Sequence, residues 1–167
     1  MTGDSATVSD PTGRTRVAAV AQALRSLHRV LAERVRRDVE AERQTVIQPG
    51  AWLSMLTGDP QFAWLRSLSE LIVDVDVFLE ADPAPADDDA ASIRAEIERL
   101  IAASSVPGAQ TEFAEHYWRY VHDAPEVAVV HGEIRQAIDR LPVPADVDEG
   151  DALHERHRWA EVHRHRD

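Results

Sequence analysis

Residues 15–43, TRVAAVAQALRSLHRVLAERVRRDVEAER, form the stretch of sequence that decides the fold. Apolar residues recur in it at intervals of three and four positions: Val17, Val20, Leu24, Leu27, Leu31, Val35 and Val39. This spacing places them on one face of an α-helix. The stretch therefore predicts one long amphipathic helix that packs its apolar face against other parts of the chain.

Proline and glycine divide the sequence after this helix. Pro49-Gly50 breaks the chain, and residues 51–56 predict a short helix closed by Gly58. Asp59 is a helix-capping carboxylate followed by proline, and it begins a second long helix that runs to about residue 80. The apolar residues of this helix cover more than half of its circumference and lack the alternation of a strand, which predicts the central helix of the fold.

Three further helices are predicted in the second half of the chain. Residues 82–89 are a Pro-rich, acidic connector whose last acids suit the start of a third helix, which Pro107-Gly108 ends. A fourth helix covers about residues 110–122, and a fifth begins at the cap 123–126 and continues to residue 138. The most economical assembly is all-α, a bundle of four to five helices with short connections.

The domain organisation follows from length and composition. With 167 residues, 44% of them hydrophobic, the chain is expected to form a single domain over residues 14–141. Residues 1–13 have the small, polar composition of a disordered lead-in. Residues 142–167 predict a Pro-rich, acidic linker and an Arg- and His-rich tail. In the tail, interleaved arginines oppose metal binding by the pairs His154-x-x-His157 and His163-x-His165.

Composition also excludes several classes of function. The chain has no cysteine, which removes disulfides, thiolate metal sites and a cysteine nucleophile. Its net charge of −12 opposes nucleic-acid binding. No stretch is apolar enough to span a membrane and the first residues do not resemble a secretory leader, so we expect a soluble, cytoplasmic protein. The charge is uneven, because residues 14–43 carry eight arginines and four acids, as expected of a solvated helix face with internal ion pairs or of a contact with an acidic partner.

Sequence motifs of nucleotide-binding enzymes, serine hydrolases and zinc proteases are absent. Three ionisable residues nevertheless fall where the helical period predicts burial: His28, Asp76 and His131. Buried ionisable groups must hydrogen-bond or ligate something, and two imidazoles with one carboxylate suit zinc or non-haem iron. The sequence therefore offers a mononuclear metal site or metalloenzyme in the core of the bundle.

A structural role for the same three residues is the competing interpretation. In this interpretation each histidine is satisfied by a backbone carbonyl, a tyrosine hydroxyl or water, and Asp76 pairs with an arginine such as Arg66. The Glu-x-x-His pairs of di-iron bundles are missing, which weakens the metal hypothesis. General acid–base chemistry at these residues is a further, weaker possibility.

Aromatic residues are concentrated between Pro49 and Leu65, in a region that we call the aromatic elbow: Trp52, Phe62 and Trp64. Such residues usually fill the core at a helix corner, but an exposed one would mark a contact surface. Our first hypothesis is a non-enzymatic interaction module, a homodimer or a binder of an unidentified protein, that uses this elbow or the arginine face of the first helix. A third hypothesis is a pocket for an apolar or aromatic ligand lined by the central helix, Tyr117 and Tyr120.

The segment 58–72, GDPQFAWLRSLSELI, resembles a set of small bacterial helical proteins. Leu27-His28 precedes it on a helix and PEVAVVH follows at 125–131, so that the resemblance covers about residues 20–140. These proteins have no assigned activity. The resemblance therefore implies an all-helical fold and carries no functional residues over to this chain.

Overall fold

The structure is a computed structural model that describes residues 13–81, 86–103 and 110–144. Within these residues the regular secondary structure is entirely helical: α1 (Gly13–Arg43), α2 (Pro49–Gly58), a 3-10 turn (Pro60–Phe62), α3 (Trp64–Glu80), α4 (Asp87–Ile101), α5 (Glu112–Asp123) and α6 (Pro125–Ile138). The all-helical prediction is confirmed. The described residues contain six α-helices, counting the short helix that was predicted after Pro49, where a bundle of four to five helices was predicted.

Helix α1 spans 31 residues and lies against both α3 and α6. The predicted apolar stripe is its buried face, and five of its members are at most 1% exposed: Val17, Val20, Leu24, Leu27 and Leu31. Removing a Leu or Val side chain from water contributes about 1.5–3 kcal/mol, so this stripe supplies a large part of the folding free energy. The long helix thus acts as the surface on which α3 and α6 are assembled.

Helix α1 ends in a Schellman motif built on Gln44. The Thr45 amide donates to the Glu40 carbonyl at 3.1 Å, and the Gln44 amide donates to the Ala41 carbonyl at 3.4 Å. This arrangement requires a left-handed residue, and Gln44 has a φ of 51°. The Glu40 carboxylate also accepts from the Ile47 amide at 2.8 Å, which directs the chain toward α2.

The turn between α2 and α3 depends on the predicted capping carboxylate. Asp59 Oδ1 accepts a hydrogen bond from the Gln61 amide at 2.9 Å, and Pro60 follows at the first position of the turn. The turn is a short 3-10 helix, so that α3 begins at Trp64 rather than at Pro60 as predicted. Because the chain forms a 3-10 turn here, the side chains of Phe62 and Trp64 are both buried in the core.

The second half of the bundle follows the predicted order of helices. Thr111 caps α5 by accepting from the Ala114 amide at 3.1 Å, and Pro125 starts α6 directly after α5 ends. Residues 1–12 of the predicted lead-in, residues 82–85 of the predicted connector, residues 104–109, and residues 145–167 of the predicted linker and tail lie outside the described residues. Over the part of the chain that the structure covers, no helix is long and apolar enough to cross a bilayer.

Candidate functional site

The surface of α2 differs in composition from the rest of the molecule. Residues 44–58 contain no charged residue, whereas the chain average of 29% would place about four there. The outer face of α2 presents Gly50, Leu53, Ser54 and Thr57, which follow the i, i+3, i+4, i+7 pattern of one helix face. Leu53 is 62% exposed, and Val46 just before the helix is 77% exposed. We call Val46 and these four residues the α2 surface.

The hydroxyl of Thr57 places no polar demand on this surface. It donates to the carbonyl oxygens of Leu53 at 3.0 Å and Ser54 at 3.2 Å, both in its own helix. A partner that covers the surface therefore does not need to accept a hydrogen bond from Thr57. The α2 surface is therefore uncharged and presents two highly exposed apolar side chains, Val46 and Leu53.

The aromatic elbow lies beneath this surface. Trp52 is the buried residue of α2, and its ring meets Phe62 edge to face with centroids 5.2 Å apart. Trp64 stacks on the imidazole of His116 at 4.8 Å. The exposed fractions of Trp52, Phe62 and Trp64 are 8%, 2% and 4%, so the three rings belong to the core. The contact between Trp52 and Phe62 holds α2 against the core, and only the residues of the α2 surface remain free to contact a partner.

The three predicted metal ligands each have a separate hydrogen-bonding partner. His28 Nε2 and the hydroxyl of Ser69 are 2.9 Å apart, and the same hydroxyl donates to the Leu65 carbonyl at 3.3 Å. Burial lowers the pKa of His28, which keeps the ring neutral. This bond crosses from α1 to α3 and satisfies a half-buried imidazole in an otherwise apolar interface.

Asp76 pairs with Arg25 of α1 and not with Arg66. Ten residues separate Arg66 from Asp76 along α3, or roughly 15 Å, beyond the reach of a side chain. Arg25 lies three residues before His28, so its ion pair and the His28–Ser69 bond follow each other along the α1–α3 contact. The pair is well exposed to water and contributes little to stability.

His131 of α6 pairs with a buried tyrosine. Its Nδ1 lies 2.6 Å from the hydroxyl of Tyr117 on α5, and its ring lies 5.1 Å from that of Trp118. Burial raises the pKa of Tyr117 far above its usual value and lowers that of His131, with Arg135 lowering both to a smaller degree. Both groups are therefore neutral near pH 7.

These pairs account for His28, Asp76 and His131 by hydrogen bonds within the protein. Across residues 13–81, 86–103 and 110–144, no group of three or more His, Asp or Glu side chains is placed to hold a metal ion. His28 and Asp76 share the α1–α3 contact, whereas His131 lies between α5 and α6. The predicted zinc or iron site gains no geometric support from this arrangement.

The residues predicted to line a ligand pocket are part of the packed core. Tyr117 is fully buried and stacks on Phe113 with centroids 5.3 Å apart. Tyr120 is 6% exposed and stacks on Trp64 at 6.1 Å. Both rings therefore fill space between helices.

The arginine face of α1 is largely neutralised by carboxylates. Arg36 and Arg37 bind Glu33 at 3.0 and 3.4 Å, and Arg34 binds Asp38 at 3.1 Å. The hydrogen bond from Arg36 lowers the pKa of Glu33, so the pair persists in mild acid. Glu126 of α6 adds longer contacts of 3.8 Å to Arg34 and 3.6 Å to Arg37. These pairs favour the interpretation of a solvated helix face.

Sequence reasoning missed Ser69, Trp118 and Arg135. Ser69 could have been found, because it lies four residues after Leu65 and seven before Asp76, on the face of α3 that meets α1. Arg135 could also have been found, because it lies four residues after His131 on α6, whereas the relation of Trp118 to His131 depends on how α5 and α6 meet.

Comparison with protein-family models, with curated proteins and with solved structures finds no match to this chain in any of the three. The resemblance of residues 58–72 to small bacterial helical proteins therefore stays a prediction.

Proposed function

We propose that this chain is a non-enzymatic interaction module that forms a homodimer through the α2 surface. The observation that carries the proposal is the 15-residue stretch 44–58, which has no charge and yet holds the highly exposed Val46 and Leu53. Interface cores are depleted of charged residues, whereas ordinary protein surface is not. An uncharged, exposed helix on a highly charged protein is therefore best explained as a contact surface.

A second copy of the chain is the partner that fits this surface. The net charge of −12 makes two copies repel each other, and the repulsion is weakest where both present an uncharged face. Most homodimers have two-fold symmetry, so that the same patch on each copy meets itself. Gly50 and Ser54 flank Leu53 on the outer face of α2 and let a second helix approach closely.

The size of the surface sets the strength of the dimer. A ten-residue helix is about 15 Å long, so the contact lies at the low end of the roughly 1,200–2,000 Å² of stable interfaces. Small interfaces of this kind have dissociation constants in the micromolar range. We therefore expect monomers and dimers to coexist at concentrations of about 1–100 µM.

Sedimentation velocity over that concentration range tests the proposal. The Leu53→Glu variant places two like charges at the centre of the contact and should be monomeric throughout. Val129→Glu is the matched control, because Val129 is 63% exposed, has the same kind of apolar side chain and lies on α6. Wild type that stays monomeric at 100 µM, or a dimer that Leu53→Glu leaves intact, would contradict the proposal.

A further inference from the structure

Met55 on α2 supplies the only sulfur atom within residues 13–81, 86–103 and 110–144. The chain has two methionines, Met1 and Met55, and no cysteine. In proteins that contain cysteine, accessible thiolates react with hydroperoxides and compete with methionine for them. Because this chain has no thiol, the thioether of Met55 is the sulfur group of the described fold that a hydroperoxide meets.

The position of Met55 on α2 leaves its side chain open to small solutes. Met55 lies three residues after Trp52, the buried residue of α2, and four residues after Ala51, which is exposed. With about 3.6 residues per turn, Met55 therefore lies at the boundary between the buried and the exposed sides of the helix. Its side chain is half-buried, with one part packed against the core.

The proposed dimer contact does not cover Met55. The α2 surface is centred on Leu53, and Met55 follows it by two residues, which corresponds to about 200° around a helix. Met55 thus faces away from a second copy that contacts Leu53. A hydroperoxide reaches it in the monomer and in the dimer alike.

Few apolar side chains hold α2 against the bundle. Trp52 is its one buried residue, and the half-buried Met55 and Leu56 are its other members packed against the core. The carbonyl oxygen of Met55 also accepts a hydrogen bond from the Asp59 amide at 2.9 Å, where α2 ends. A chemical change at Met55 therefore alters one of the three side chains through which α2 packs on the core.

We propose that Met55 is an oxidation site through which hydroperoxides release α2 from the core. The sulfur attacks one oxygen of hydrogen peroxide, the S–O bond forms and the O–O bond breaks. The second oxygen takes up the proton of the first and leaves as water, so that sulfur loses two electrons and peroxide gains them. Hydration of the polar sulfoxide then competes with packing on the core. The release itself needs no partner, whereas the weakening of the dimer that follows from it rests on the proposed function.

Hydrogen exchange of the full chain below about 1 µM, before and after treatment with hydrogen peroxide, tests the effect on the monomer. Tandem mass spectrometry locates the added oxygen on Met55, and methionine sulfoxide reductase with dithiothreitol removes it. Exchange of the amides of residues 53–58 should be at least about fivefold faster after oxidation and should return to its first rate after repair. Met55 that resists oxidation in the folded chain, or oxidation that leaves this exchange unchanged, would overturn the proposal.

Two variants of Met55 separate its oxidation from other effects of peroxide. Met55→Leu keeps an apolar side chain of similar size, lacks the sulfur and retains Met1, so peroxide should leave exchange in α2 unchanged. Met55→Gln places a polar group at the same position and should speed the exchange without peroxide. Faster exchange in peroxide-treated Met55→Leu, equal to that of the wild type, would assign the effect to another residue and contradict the role of Met55.

Sedimentation velocity at about 20 µM tests the effect on the dimer. Oxidation should raise the dissociation constant of the wild type at least about threefold and leave that of Met55→Leu unchanged. Wild type that does not dimerise before oxidation contradicts the proposed function, and the exchange experiment then decides on Met55. A dimer with the same dissociation constant before and after oxidation of Met55 contradicts the role of Met55 and leaves the proposed function intact.

Discussion

Helices α1 and α2 follow each other in the chain, but they differ in how their charge content relates to the burial of their apolar side chains. Helix α1 contains eight arginines and four acids among residues 14–43, yet its apolar stripe is almost completely buried. Helix α2 has no charged residue, yet Trp52 is its one buried residue and Leu53 is mostly exposed. Apolar content alone therefore does not predict burial. Periodicity does so for α1, and we propose that the exposed apolar face of α2 contacts a second copy of the chain.

The largest expected effect is on the free energy of unfolding, when one leucine in each helix is replaced by alanine. Leu27→Ala removes a fully buried side chain from α1 and should lower the free energy of unfolding by about 2–5 kcal/mol. Leu53→Ala removes a mostly exposed side chain and should change the stability of the monomer by no more than about 0.5 kcal/mol. Urea unfolding of both variants below 1 µM, where the proposed dimer would dissociate, measures the difference. Equal losses would show that α2 is as much a part of the monomer core as α1.

A smaller effect is expected from pH, because burial lowers the pKa of His28 in α1, of His116 against Trp64, and of His131. Arg119 further lowers the pKa of His116, and Glu112 and Glu115 act against this shift. The folded protein binds fewer protons than the unfolded chain just below pH 6.5. The contribution of these histidines to the free energy of unfolding is therefore fully present above that pH and is lost as the pH drops below it.

Thermal unfolding between pH 7.5 and 5.5 measures this dependence above the range in which most carboxylates titrate. His28→Gln should reduce the pH dependence, because it removes one of the three histidines whose pKa burial lowers. Stability that is constant or rises toward pH 5.5 would contradict the assignment of neutral, buried histidines.

The smallest effect concerns the junction that directs α2 away from α1. Gln44 adopts a left-handed conformation that glycine adopts without steric cost, so Gln44→Gly should raise the free energy of unfolding by about 1 kcal/mol. Gln48→Gly is the matched control, because Gln48 has a φ of −64° and gains nothing from glycine. Chemical denaturation distinguishes the two variants, and equal changes in stability would argue against the Schellman motif at this junction.

Much of the fold could be predicted from the sequence, because helix boundaries depend on local signals. The apolar period of α1 and the prolines at positions 49, 60 and 125 act within one or two helical turns. The 3-10 turn differs from the prediction of a long helix that begins at Pro60, because the tight turn at Asp59 is stabilised by packing of Phe62 in the core.

The polar pairs could be predicted only in part. Burial of ionisable groups was visible in the positions of His28 and His131, but the identities of Ser69 and Arg25 as partners depend on how helices meet in space. The same limit applies to the aromatic elbow. Its place in the sequence indicated a contact region, whereas the packing of Trp52 on Phe62 determines that the neighbouring Leu53 carries the exposed surface.

Cross-linking through an introduced cysteine tests the central claim most directly, because the natural chain contains none. In Leu53→Cys, the two-fold contact brings the cysteines of two copies together, and mild oxidation at about 20 µM should yield a covalent dimer within minutes. Val129→Cys, equally exposed on α6, should remain largely monomeric under the same conditions. Cross-linking of Leu53→Cys that does not exceed that of Val129→Cys would contradict self-association through the α2 surface.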